Sequence, residues 1–232
     1  MFHAIHRSMY QFGSPKVISL STFITFYTAV MVLQLTPGPD MLLIIGRGIG
    51  QGRRAALMTA AGGTLLAGVI QVPILAGGVA SLVQTMPYML EVLRWIGATY
   101  LVWIGAKTLF RAKDNPIPRA RGRSVSDYQA LVDGMVSNLF NPKPLVFMLV
   151  FLPQFVDPAN GWPIWSQLVL LGGIQKLSGF VINGAVAWTV GSIGGWLAGH
   201  PAILVWQRRF AGLVMISLGL RLAGAGNLKP VA

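Results

Sequence analysis

Charged side chains are so widely spaced along this chain that its apolar positions form long runs instead of the stripes of a soluble amphipathic fold. A helix needs about 20 apolar residues to cross the ~30 Å hydrocarbon core of a bilayer. Six segments reach that length: about Leu20 to Ile45, a stretch within Ala55 to Leu90, about Val92 to Phe110, about Leu131 to Phe155, a stretch within Ile164 to Gly199, and about Phe210 to Gly226. The runs 55–90 and 164–199 each hold 36 residues, more than one straight span at a rise of about 1.5 Å per residue. Each is read as one long tilted or broken helix with a flanking loop, a helical hairpin being the alternative. Residues 1–19 carry His3, His6, Arg7 and Lys16 without an apolar core of signal-peptide length, and read as a short soluble tail.

Composition turns this pattern into a membrane assignment. The chain is 54% hydrophobic and 10% charged, against roughly 25% charged in an ordinary soluble domain, which leaves too little polar residue to clothe a soluble surface. Its net charge of +12 would suggest nucleic acid in a polar chain; here it marks topology, and no nucleic-acid partner is expected. The loops alternate in basicity. Arg47, Arg53 and Arg54, then Arg111, Lys113, Arg119, Arg121 and Arg123, then Arg208 and Arg209 are separated by stretches 81–90 and 154–163, which hold no Lys or Arg. Retention of basic loops in the cytoplasm places both termini outside, with a five-span chain that moves one terminus inside as the alternative. Trp95, Trp103, Trp162, Trp165, Trp196 and Trp206 fall near span ends, as an aromatic belt requires, and Glu91, Arg94, Lys107 and Arg221 read as interfacial anchors.

The basic stretch 111–130, with Pro116 and Pro118, is the expected cytoplasmic linker between a first repeat, 20–110, and a second, 131–232. The halves resemble each other in order. Thr36-Pro37-Gly38-Pro39 matches Asn141-Pro142-Lys143-Pro144, Gly62-Gly63 matches Gly172-Gly173, and Gly105 matches Gly219. The offsets grow steadily through 105, 110 and 114 residues, as small loop differences would make them. Three spans per half invert the second half relative to the first. The expected fold is therefore an all-α membrane protein of about six transmembrane helices in two inverted three-helix repeats.

The mirrored proline pairs carry the candidate chemistry. Each proline removes a backbone donor and costs about 3 kcal/mol or more inside a helix, so such a break is tolerated in a membrane only where protein or water satisfies the freed carbonyls. Two half-helices also present a positive N-terminus to an anionic group and loose carbonyls to a cation, and an α-amino acid offers both charges. The alternative is that the prolines merely kink packed helices.

An ionisable side chain within a span costs at least ~2.5 kcal/mol. Asp40, the only acid before Glu91, is a candidate for the substrate ammonium or a coupling proton, against placement at the interface near Arg47. Lys143 is a candidate for the substrate carboxylate or for pairing with Asp40, against snorkelling from a helix end. Lys176, beside Gln175 and followed by Asn183, is expected to face a cavity. Gln71 occupies the matching part of the second span, for substrate contact or an interhelical hydrogen bond. Ala61, Gly62, Gly63, Ala67 and Gly68, with Gly172, Gly173, Gly179 and Gly184, read as close-packing faces, which also make a homodimer reasonable.

Several constellations are missing from the sequence. There is no G-x-x-x-x-G-K-[ST] phosphate loop, no paired histidine spacing for a metal, no G-x-S-x-G elbow and no cysteine. No cofactor and no enzymatic activity are expected.

The segments T-P-G-P-D-M-L-L-I-I-G-R-G (36–48), W-I-G-A-T-Y-L-V-W-I-G-A-K-T-L (95–109), N-L-F-N-P-K-P-L-V-F (138–147) and G-L-V-M-I-S-L-G-L-R-L-A (212–223) resemble the LysE/RhtB family of amino-acid efflux permeases. The resemblance extends over essentially the whole chain after Leu20. It implies a six-span bacterial inner-membrane exporter of amino acids or small derivatives, coupled to a proton or sodium gradient. Pro37, Gly38 and Pro39 match the first signature of that family, and Asn141, Pro142 and Lys143 the second; the position of Asp40 varies, so its role rests on the physical argument alone. Two other readings stand beside the exporter: a membrane-embedded assembly protein docking through its glycine-rich helices, and a passive small-solute channel.

Overall fold

The computed structural model describes residues 18–36, 38–86, 88–111, 125–157 and 161–224, and all regular structure among them is helical. Pro37, the tail 1–17, and Lys113, Pro116, Pro118, Arg119, Arg121 and Arg123 of the expected linker lie outside the described residues.

Helix α1 (Leu20–Leu35) starts on Ser19, whose hydroxyl accepts the Thr22 N–H at 3.1 Å, satisfying one of the unpaired donors of a helix start. It stops before Gly38, whose extended backbone (φ −134°) separates it from α2 (Pro39–Gln51). Pro39 suits the first turn of α2 because its missing N–H would have had no helical partner there. The axes of α1 and α2 differ by 47°. Gly52, at φ +93°, then turns the chain through the left-handed region that favours glycine, into α3 (Arg53–Ala61). A π-helical turn, Gly62–Leu66, joins α3 to α4 (Ala67–Thr85), and α5 (Met89–Phe110) completes the first half.

The second half opens in the same way. Ser126 caps α6 (Asp127–Leu139) by accepting the Gln129 N–H at 3.1 Å. After a break at Phe140 and Asn141, the chain continues through α7 (Pro142–Val146), a π turn (Phe147–Phe151) and a 3₁₀ turn (Leu152–Phe155), bent by 49° from α6. Both proline-rich tetrads therefore lie at breaks of nearly equal bend. Next come α8 (Ile164–Gly199), an uninterrupted helix of 36 residues, and α9 (Pro201–Gly224).

Three positions differ from the sequence reading. Asp127 to Ala130, expected in the linker, form the first turn of α6. Arg208 and Arg209, expected in a loop, lie inside α9, with Arg208 buried. Arg94, expected as an interfacial anchor, is also buried and is paired with Glu91 one turn earlier at 3.2 Å. Span limits drawn at charges assume that charges lie in loops, whereas an arginine stem is long enough to let the residue stay within a helix.

Among the described residues, the helical stretches Arg53–Leu82 and Ile164–Val190 are long and apolar enough to cross a membrane, and counting each bent pair as one span brings the number to four. The chain is a multi-pass membrane protein. Its core joins Phe26, Val30 and Leu33 of α1 to Phe147 and Phe151, to Leu168 and Leu171 of α8, and to Met215 of α9. Two contacts allow no side chain at all. A Cβ on Gly62 would lie 1.9 Å from the Leu131 carbonyl oxygen, and one on Gly134 would lie 2.1 Å from that of Thr59, so the start of the π turn and α6 meet backbone to backbone. α5 and α9 cross in the same manner, with Gly105 and Gly212 each 2.7 Å, measured from a built Cβ, from the other's carbonyl oxygen. Of the other expected packing glycines, Gly63, Gly68, Gly172 and Gly179 have neighbours 3.0–3.2 Å from a built Cβ, a tight fit but not an exclusion, whereas Gly173 and Gly184 have open space.

Candidate functional site

The two breaks face one cavity of about 60 Å³, whose wall includes Gly38 and Asp40 from the first and Asn141 and Lys143 from the second. This is room for several water molecules. A smaller cavity of about 10 Å³ shares Asp40, Thr64, Asn138 and Asn183 with it, so these four residues form the partition.

Ending α1 leaves carbonyls without helical partners, and distant side chains supply the donors. The Lys143 ammonium donates to the Thr36 carbonyl at 2.5 Å, and Gln207 from α9 donates through its amide to the Leu35 carbonyl at 3.2 Å. The cation that loose carbonyls were expected to attract is thus a side chain from the mirrored break. Gly38 leaves room for it, since a Cβ there would lie 3.3 Å from the Lys143 nitrogen. Asn141 caps the second break by accepting the Lys143 N–H at 3.0 Å through its side-chain oxygen. Pro39 is exposed at the start of α2, and Pro142 holds the same first-turn place in α7.

Asp40 sits in the first turn of α2, where a carboxylate complements the helix dipole. One of its oxygens accepts the Ser137 hydroxyl at 2.8 Å and the other the Asn138 amide at 2.5 Å. Asp40 and Lys143 do not form an ion pair; those among the described residues join Arg47 to Asp133, Arg54 to Asp127 and Arg94 to Glu91. Arg47 is therefore engaged elsewhere than with Asp40.

Lys176, buried on α8, donates to the Gln71 side-chain oxygen and, at 2.8 Å, to that of Asn138. The Gln71 amide in turn donates to the Asn138 backbone carbonyl at 3.2 Å. The two residues singled out in the second and fifth spans thus meet, and Asn138 links them to Asp40. Gly68 opposite leaves space for the Lys176 stem, with a built Cβ 3.0 Å from its Cγ. On the same helix as Lys176, the Gln175 carbonyl accepts the Gln34 amide at 2.6 Å, and that amide also donates to the Ser178 hydroxyl at 3.2 Å. The side-chain oxygens of Gln34 and Gln175 are buried without a partner, so the wall holds two acceptors beyond the Asp40 carboxylate.

Sequence reasoning missed Gln34, Thr64, Ser137 and Asn138. The available signal was position: Gln34 lies one turn before the first break, and Ser137 and Asn138 one turn before the second. The cavity offers fixed charges of both signs and neutral donors and acceptors, and among the described residues no group of His, Cys, Asp and Glu is arranged to hold a metal.

Two broken helices that share a polar, charge-bearing cavity are an arrangement found in many small-solute transporters. The chain belongs to the LysE type translocator family, whose model matches residues 31–226. It is a transporter and not an enzyme. It is 28% identical over 216 residues to an uncharacterised membrane protein of Pseudomonas aeruginosa, covering 90% of this chain and 97% of that one. It is 26% identical over 201 residues to a leucine efflux protein of Enterobacter sp. strain 638, covering 87% and 94% of the two chains. With a leucine efflux protein of Salmonella typhimurium the identity is 30% over 134 residues, covering 57% and 62%. No solved structure matches this chain.

Proposed function

We propose that this chain exports amino acids across the bacterial inner membrane, coupled to an ion gradient, by alternating access about its two broken helices. The supporting observation is that the breaks, 105 residues apart in sequence, face one cavity in which Asp40 and Lys143 bear the charges opposite to those of an α-amino acid. In this reading Lys143 leaves the Thr36 carbonyl for the substrate carboxylate. The ammonium is received by Asp40 and the free oxygens of Gln34 and Gln175. Leu33 and Met41 supply an apolar wall for the substrate side chain, in keeping with relatives named leucine efflux proteins.

The architecture is read as six spans in two inverted repeats. α5 and α9, of 22 and 24 residues, are the third and sixth, each long enough for ~30 Å at about 1.5 Å per residue. The glycine-mediated crossing of α5 and α9 then relates corresponding elements of the two halves. Reconstituted vesicles loaded with a panel of labelled amino acids test the function. Saturable efflux that depends on an imposed proton or sodium gradient is expected for at least one of them, and no flux for any would overturn the proposal.

A further inference from the structure

We propose that Lys176 sets the charge preference of the cavity, so that amino acids with neutral side chains are accepted and those with cationic side chains are turned away. The inference rests on the exporter reading and adds the substrate class to it.

The charged residues of the cavity wall, among those described, are Asp40, Lys143 and Lys176. One acid and one base match the zwitterionic part common to all amino acids. Lys176 is the surplus, and it is held in place: its stem passes over Gly68 and its ammonium donates to the side-chain oxygens of Gln71 and Asn138. Both of those partners are neutral. The nearest carboxylate available through the network is Asp40, reached across the Asn138 amide, and it is the same group that a substrate ammonium needs. With a neutral amino acid bound, the cavity keeps one uncompensated positive charge. A lysine or arginine side chain would add a second, in a site where few water molecules can screen it. Like charges brought together in this way discriminate strongly, on the order of 100-fold.

Norleucine and lysine are the probes that isolate this effect, since lysine is norleucine with an ammonium added at the end of the same four-carbon side chain. Efflux of labelled leucine, norleucine and lysine is measured from vesicles holding wild type, Lys176→Met or Asn183→Asp. Lys176→Met removes the surplus charge at similar length; Asn183→Asp leaves Lys176 alone and adds a carboxylate elsewhere on the wall. Wild type is expected to move leucine and norleucine and to reject lysine by on the order of 100-fold, and each variant to lower that ratio at least about tenfold. Lysine flux in wild type equal to that of the neutral pair overturns the inference, and so does an unchanged ratio in both variants while neutral flux persists. If Lys176→Met does not insert, the ratio in Asn183→Asp decides, since a carboxylate on the wall should relieve the same repulsion with Lys176 in place. Loss of neutral flux while other amino acids move overturns this inference and leaves the exporter reading standing; absence of flux for every amino acid overturns the exporter reading.

Discussion

The Asp40 carboxylate has two donors aimed at its two oxygens, Ser137 and Asn138, and this decides how a substitution there behaves. Asp40→Asn keeps the shape and both contacts, since its oxygen accepts the Asn138 amide while its NH₂ group donates to the Ser137 hydroxyl, and it removes the negative charge. What changes is the charge and not the packing, so the fold is kept while the group that would meet a substrate ammonium is lost. The expected outcome is normal insertion, checked by size-exclusion chromatography in detergent, with transport reduced to background. Lys143→Gln should do the same, because the shorter amide does not reach the Thr36 carbonyl. Normal transport by both variants would remove these residues from the site. Asp40, Lys143 and Lys176 were legible in the sequence because an ionisable group in an apolar run is costly and must have a use. Asn138 was not, because a neutral amide near a break resembles any interhelical hydrogen-bonding residue. Its importance comes from where α6 passes, between Asp40 on α2 and Lys176 on α8.

At the scale of elements, the proline tetrads located both breaks, and the long apolar runs located α4 and α8. The start of α6 at Asp127 was hidden because four of its first seven residues, Asp127, Tyr128, Gln129 and Asp133, are polar or amphipathic, and two of these acids pair with arginines of the first half. The glycines show the same division. Their enrichment in the second span pointed to close packing, but only the geometry separates those that touch a neighbour from those that do not. Gly62→Ala or Gly134→Ala would force α6 from its neighbour, since a Cβ at either position falls within about 2 Å of a carbonyl oxygen. Overpacking of this kind costs about 1–3 kcal/mol or more, and a lower unfolding temperature in detergent is expected. Gly77→Ala on α4 meets nothing within 4 Å and should be neutral or stabilising by up to about 1 kcal/mol through helix propensity. Equal effects at Gly62 and Gly77 would contradict the packing described.

Across the whole molecule, α6 is one of the elements that join the halves. It ties Asp133 to Arg47 on α2, Asp127 to Arg54 on α3, and Ser137 and Asn138 to Asp40. The Arg54 pair is largely solvent-exposed and is worth about 1 kcal/mol at most. The half-buried Arg47 pair and the Asp40 contacts are the ones that hold α6 against the first half. Alternating access requires this seam to open on one side of the cavity while the other closes, and Thr64, on the wall of both cavities, lies where each opening would expose it. Because the chain has no cysteine, Thr64→Cys introduces a single reactive thiol. The most direct measurement is the rate at which membrane-impermeant thiol reagents label that position in vesicles, added from either side, with and without leucine. Labelling from both sides, slowed on at least one side by leucine, is the predicted result. Labelling from one side only, at a rate that no amino acid alters, would contradict the proposal that this cavity is the transport path.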